Sequence, residues 1–208
     1  MQPTPEPARR RGRPFPHAGR IFLALLAGSA AALAHPPFGM LPGLFGYALL
    51  MLLAERATSV RGGFWVGWLA GFAYFFISCW WVAEAFLVNP AQAWMAPFAA
   101  SLLPLGLGVF WGTAAALYRR LRPAGVRRAL VFAALFCLLE WLRGHVLTGF
   151  PWNPAGASWK AGSAASQFAA AAGVYGLSFV TVAAAAAFGP LFAAGPRRPR
   201  IAAAASGA

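Results

Sequence analysis

Apolar residues run through this chain in six long blocks, parted by short stretches where proline, glycine and arginine collect. The blocks fall at about 20–34, 40–54, 62–87, 93–118, 127–147 and 168–194. None alternates with period two, which argues against strands and lipid-facing barrels. Long apolar runs with few charges instead indicate helices, which satisfy their own backbone groups inside a bilayer. The expected fold is all-α: a polytopic transmembrane helix bundle over residues 20–194, with about six spans. Residues 1–19 read as a disordered basic cytoplasmic tail, and 195–208 as a cytoplasmic linker with the start of a truncated seventh helix.

The block boundaries carry further detail. The first two blocks, about 22 Å each as helix, are shorter than a ~30 Å hydrocarbon core. They are parted by "HPPFG" (35–39), where Pro36 and Pro37 cannot continue a helix. They therefore either extend into flanking residues or form a short hairpin wedged against neighbours. "RRRGRPFPHAGR" before an apolar run has the shape of a signal peptide, but cleavage after Ala34 would leave His35 and Pro36 at the new terminus. The first block is read as a transmembrane helix. Gly63, Gly67 and Gly71 recur every four residues in the third block, and Gly108 and Gly112 in the fourth, as close-packing helix faces require.

Composition agrees with a membrane bundle: 60% of the 208 residues are apolar, 10% are charged, and mean hydropathy is +0.63. The net charge of +13 does not point to nucleic acid, because the arginines occur in short clusters between apolar runs. With the N-terminus in the cytoplasm and six alternating spans, every basic residue except Arg143 and Lys160 falls on the cytoplasmic side. Cys79 and Cys137 lie inside apolar blocks and read as small buried hydrophobes. No metal-ligand spacing, nucleotide loop or cofactor motif is present.

Two of the four acidic residues, Glu84 and Glu140, lie within apolar blocks, where an unpaired charge costs about 3 kcal/mol. Glu140 and Arg143 are three apart, so on a helix they share a face and can pair. Two readings stay open: an Arg–Glu clamp between helices, or a polar pocket at the outer surface, where Arg143 can snorkel to water. His145 reads as an interfacial histidine. "TGFPWNP" (148–154) then leaves the membrane, stiffened by Pro151 and Pro154, with Phe150 and Trp152 suited to the interface. Glu84 and the nearby Trp80 and Trp81 lean to the same side.

These residues resemble a known family. "EWLRGHVLTGFPWN" is similar at every defined position to the E-[FW]-L-R-G-x-x-x-T-G-F-P-W signature of apolipoprotein N-acyltransferases. "AHPPFG", "GWLAGFAYFFISCWWVAEAFLV" and "GVYGLSFV" resemble that family's first turn and its third and sixth helices, in order. The resemblance implies a multi-pass protein of the bacterial inner membrane. It further implies transfer of an acyl chain from a phospholipid donor to the N-terminal S-diacylglyceryl-cysteine of an apolipoprotein acceptor. In the family a cysteine, a glutamate and a lysine of a nitrilase-like domain do the chemistry. No residue here matches that triad, so the chain reads as the membrane half, inactive alone, with the nitrilase-like domain supplied in cis or in trans. Glu84, Glu140, Arg143, His145, Thr148, Phe150, Pro151 and Trp152 are then candidates for substrate binding or domain docking, with no metal or cofactor. Two other readings are a non-catalytic membrane scaffold for a separate catalytic chain and a small transporter using Glu84 and Glu140. The latter calls for inverted repeats, which the sequence does not show.

Overall fold

A computed structural model of the chain describes residues 17–189. Residues 1–16 of the basic tail and the 195–208 segment expected above, with the last residues of the sixth block, lie outside the described residues, while residues 17–19, expected in the tail, form the first turn of a helix. Those described form helices and turns without a strand. The α-helices are α1 (His17–Leu33), α2 (Phe45–Arg56), α3 (Val60–Ser78), α4 (Ala96–Leu121), α5 (Arg127–His145), α6 (a single turn, Ala164–Gln167) and α7 (Ala169–Ala187). Short 3-10 segments cover Leu41–Leu44, Trp80–Phe86, Pro90–Met95 and Ala155–Ser158.

Among the described residues three stretches are long and apolar enough to cross a membrane: Val60–Ser78, Pro90–Leu121 and Ala169–Ala187. His17–Leu33 is apolar but shorter, and α2, with 12 residues, is about 18 Å long. α1 extends the first block by three residues at its N-terminus, and α2 stays short. The third block also differs from expectation. Its helix ends at Ser78 rather than near residue 87, and Trp80–Phe86 continues as a 3-10 turn. Glu84 is consequently exposed on that turn and not held within an apolar span.

The glycine faces of the third and fourth blocks meet each other. A Cβ on Gly67 would stand 2.5 Å from the Trp111 carbonyl oxygen, and one on Gly71 2.9 Å from the Gly108 Cα. Only hydrogen atoms fit between α3 and α4 there, so the backbones pack at close range. This stripe is covered within the chain. The sequence reading missed an equivalent approach: a Cβ on Gly28 of α1 would lie 1.9 Å from the Ala70 carbonyl oxygen of α3. Around Trp111 the rings of Tyr47 (5.4 Å), Tyr74 (4.5 Å) and Phe136 (5.2 Å) join α2, α3, α4 and α5 in one aromatic core.

The helices leave two chemically distinct ends. One gathers the C-termini of α2 and α4 with the N-terminus of α5, where Tyr118 (2.6 Å) and Arg128 both donate to Glu55. The other gathers the ends of α1, α3 and α5 beneath the 146–163 loop.

Candidate functional site

Helix α5 ends where Val146 turns extended, and the chain then crosses the end of the bundle as irregular backbone with one 3-10 turn at Ala155–Ser158. Such backbone cannot stay unpaired at the edge of a membrane. The polar residues of the apolar helices supply the partners. Arg143 donates through Nη1 to the carbonyl oxygens of Phe150 and, at 2.8 Å, Trp152. Glu140 accepts from the Ala155 amide at 3.0 Å, with the Ser178 hydroxyl beside it. Ser178 itself accepts from the Gly156 amide at 2.9 Å. From α3, Tyr74 donates to the Asn153 carbonyl at 2.6 Å and meets His35 Nε2 at 2.7 Å. The Asn153 amide in turn donates to the Ser78 carbonyl at 2.9 Å. Further along, Trp159 donates to Thr181 of α7 at 2.8 Å.

The loop is thus tied to α3, α5 and α7, and through Tyr74 to the α1–α2 turn, by side chains that are themselves buried: His35, Tyr74, Ser178, Glu140 and Arg143 are all less than 4% exposed. Each charged group meets neutral backbone, which disperses its charge over a fixed set of dipoles. The Arg143 guanidinium also lies 5.1 Å over the Phe75 ring. These contacts correct the expected clamp. Glu140 and Arg143 share a helix face but form no ion pair among the described residues; each reaches a different part of the loop. Arg143 does not snorkel either, being 2% exposed.

The remaining candidates separate into two groups. Phe150 and Trp152 join the network through their carbonyls, while the Trp152 ring stays 54% exposed and packs edge-on against Trp81 at 5.4 Å. His145, Thr148 and Pro151 are exposed, and His145 stacks on Trp141 at 4.6 Å. Glu84 takes no part in the buried network. Leu147 and Asn153 hold left-handed backbone at φ 59° and 52°, a conformation that costs a non-glycine residue about 1 kcal/mol or more. Leu147 adopts it with its side chain 98% exposed.

His35, Tyr74, Ser78, Asn153, Ser178 and Thr181 were missed by the sequence reading. A signal was available for the two α7 residues, because hydroxyls in an apolar helix need a partner. In the turn between α1 and α2, burial and then the Arg143 charge lower the His35 pKa from 6.5 to about 4. The imidazole is therefore neutral at pH 7. With the Tyr74 hydroxyl donating to Asn153, Nε2–H of His35 is the donor to Tyr74. Among the described residues no group of three His, Cys, Asp or Glu side chains is placed to hold a metal. The Cys79 sulfur lies near the Ser78 hydroxyl and the Asn153 amide, and Cys137 donates to the Tyr175 carbonyl.

Comparison with known proteins bears on this arrangement. A family model described as the apolipoprotein N-acyltransferase N-terminal domain matches residues 27–187. The chain is 60% identical over 169 residues to the apolipoprotein N-acyltransferase of Caulobacter vibrioides, covering 79% of this chain and 32% of that protein. It is 37% identical over 174 residues to the protein of that name from Allorhizobium ampelinum, with 78% and 33% covered. To the one from Rhizobium etli it is 43% identical over 148 residues, with 66% and 28% covered. The chain spans about a third of the length of the curated relatives it matches.

Proposed function

The chain belongs to the apolipoprotein N-acyltransferase family, and from that premise we propose that it is the membrane-embedded part of an N-acyl-transfer machine of the bacterial inner membrane. The bundle crosses the bilayer with its basic end and N-terminus in the cytoplasm and the 146–163 loop on the outer side. The acyl donor is a phospholipid, and the acceptor is the α-amino group of a diacylglyceryl-cysteine at a lipoprotein's N-terminus. The chemistry falls to a nitrilase-like domain in cis or in trans. This chain's residues position the loop surface on which that domain and the two lipid substrates meet.

The observation that carries this reading is the loop's anchorage. Buried Glu140, Arg143, Tyr74 and Ser178 hold its backbone, while Leu147, Trp152 and Trp81 are presented outward. A floor fixed in this way does not have to be ordered when substrates arrive, and displacing it by about 1 Å can cost on the order of a hundredfold in rate. Loop residues that face outward in strained backbone are contact residues first.

The test is a chimera in which residues 27–187 replace the matching region of the Caulobacter protein. It should transfer acyl chains from phospholipid to a diacylglyceryl-peptide, and Arg143→Ala in it should lower the rate per molecule present in the membrane by about a hundredfold. An Arg143→Ala chimera that is present in normal amounts and fully active would sink the proposal.

A further inference from the structure

The basic end of the bundle carries two adjoining cavities that acyl transfer leaves unused. The first, about 490 Å³, lies where α4 turns into α5 and is lined by Glu55, Tyr118, Arg119, Arg122 and Arg128 with the 123–125 turn. Glu55 is committed to Arg128 and Tyr118, and Arg122 adds an exposed cation to the same wall. The second, about 530 Å³, shares Gly125 and Arg128 with the first. Its other lining residues are apolar, among them Val126, Ala129 and Leu130 of the α5 side and Ala183 and Ala186 of α7. The arginine-lined cavity and the apolar groove thus meet at Gly125 and Arg128.

The turn between α4 and α5 has an unusual residue in it. Arg122 caps α4 in the left-handed region, at φ 49° and ψ 52°. Glycine takes that position without strain. The chain instead keeps a long cationic side chain there, exposed and among the residues lining the cavity. Backbone strain of this kind marks a side chain that is needed in place. Beside it, Leu121 (60% exposed), Val126 (86%) and Leu130 (48%) place the mouth of the groove where hydrocarbon meets headgroups.

We propose that the paired cavities bind one anionic phospholipid of the leaflet at the basic end, its phosphate in the arginine-lined cavity and an acyl chain in the α5–α7 groove. Charge complementarity selects the headgroup, and the apolar groove selects a lipid over a soluble phosphate, which would use the first cavity alone. The site is separate from any acyl donor, which would react at the opposite end. It rests on the bundle lying in a membrane and not on the acyl-transfer reading.

The experiment takes the full 208-residue chain in detergent and measures lipid occupancy by native mass spectrometry. Phosphatidylglycerol and phosphatidylethanolamine are titrated separately. Phosphatidylglycerol should bind about fivefold more tightly, as one added favourable arginine contact implies. Arg122→Gly should abolish that preference without lowering the thermal midpoint, since it also relieves the backbone. Arg122→Gln should abolish it too, and Ala183→Leu, which narrows the groove, should weaken both lipids together. Equal affinity for the two lipids, an unchanged preference in Arg122→Gly, or no effect of Ala183→Leu would each overturn the site. Displacement of the lipid by equimolar glycerol phosphate would overturn it as well, in favour of a soluble-anion site. Acyl transfer is not read at any step, so this result and that of the chimera stand or fall independently.

Discussion

The two ends of this bundle handle charge in opposite ways. At the basic end Glu55 meets Arg128 as an ordinary ion pair, with side chains 27% and 23% exposed in the order Arg128 and Glu55. At the loop end Glu140 and Arg143 are buried, sit three residues apart, and still do not pair. They bind the amides and carbonyls of Phe150, Trp152 and Ala155 instead. The difference follows from what else needs a partner. At the basic end helix termini reach water, which solvates spare groups. At the loop end irregular backbone lies over buried side chains, and the amides of buried Ala155 and Gly156 would each cost about 1–3 kcal/mol if left unpaired. Charged side chains are the strongest donors and acceptors available, so they are spent on the loop.

The largest effect should come from removing the loop's main donor. Arg143→Ala leaves the Phe150 and Trp152 carbonyls without their donor and Glu140 without its neighbouring cation. A loss of about 3 to 5 kcal/mol is expected, with the loop becoming cleavable near Leu147 before the bundle melts. Thermal unfolding in detergent with limited proteolysis checks both. A variant that loses stability while its loop stays protected would mean that Arg143 braces the helices and not the loop.

Next is a control that breaks the bundle without touching either end. Gly67→Leu puts a side chain where a Cβ alone meets the Trp111 carbonyl at 2.5 Å, and α3 must part from α4. Overpacking of this size costs about 1–3 kcal/mol, more if the backbones cannot shift. The loop should stay protected until global unfolding, unlike in Arg143→Ala. Early cleavage in Gly67→Leu would erase the distinction between bundle and loop.

How far the sequence alone revealed this depends on the range of the interaction. The glycine spacing at 63, 67, 71 and at 108, 112 showed two close-packing faces, since helix periodicity is local. That the two faces pack on each other is a tertiary fact, visible only once α3 and α4 are placed. Glu140 and Arg143 stood out because charge in an apolar run is costly. Their partners did not, because a backbone carbonyl carries no letter in the sequence. Asn153 looked like a turn residue, and Tyr74 like one more aromatic in a helix full of them. The third block was read too long because "WWVAEAFLV" is as apolar as the helix before it. Apolarity distinguishes membrane from water, and it does not distinguish an α-helix from an interfacial 3-10 turn.

A titration sharpens the comparison at the loop end. His35 is neutral and buried, with its folded pKa near 4 against 6.5 when unfolded. Above pH 6.5 neither state is protonated and the residue contributes no pH dependence. As pH falls from 6.5 towards 4, the unfolded chain takes up a proton that the folded one refuses, so stability declines through that window and levels off below it. Melting temperature against pH should therefore fall between 6.5 and 4.5. His35→Asn should flatten the slope even though it weakens the bond to Tyr74. A slope unaltered by the substitution would assign the pH response to other groups.

The smallest effect belongs to the basic end. Glu55→Gln keeps an acceptor for Tyr118 but discharges the pair with Arg128. Because both side chains are about a quarter exposed, solvent and salt already screen the attraction, and about 1 kcal/mol or less is expected. Raising the salt from 0.05 to 0.5 M, across which the Debye length shortens from about 14 Å to about 4 Å, should shrink even that difference. Arg143→Ala should show no such salt dependence, since Arg143 is buried and its partners are uncharged carbonyls. Measuring both variants across the same salt series asks directly whether the two ends differ in kind. A salt-sensitive Arg143→Ala, or a Glu55→Gln penalty indifferent to salt, would show that they do not.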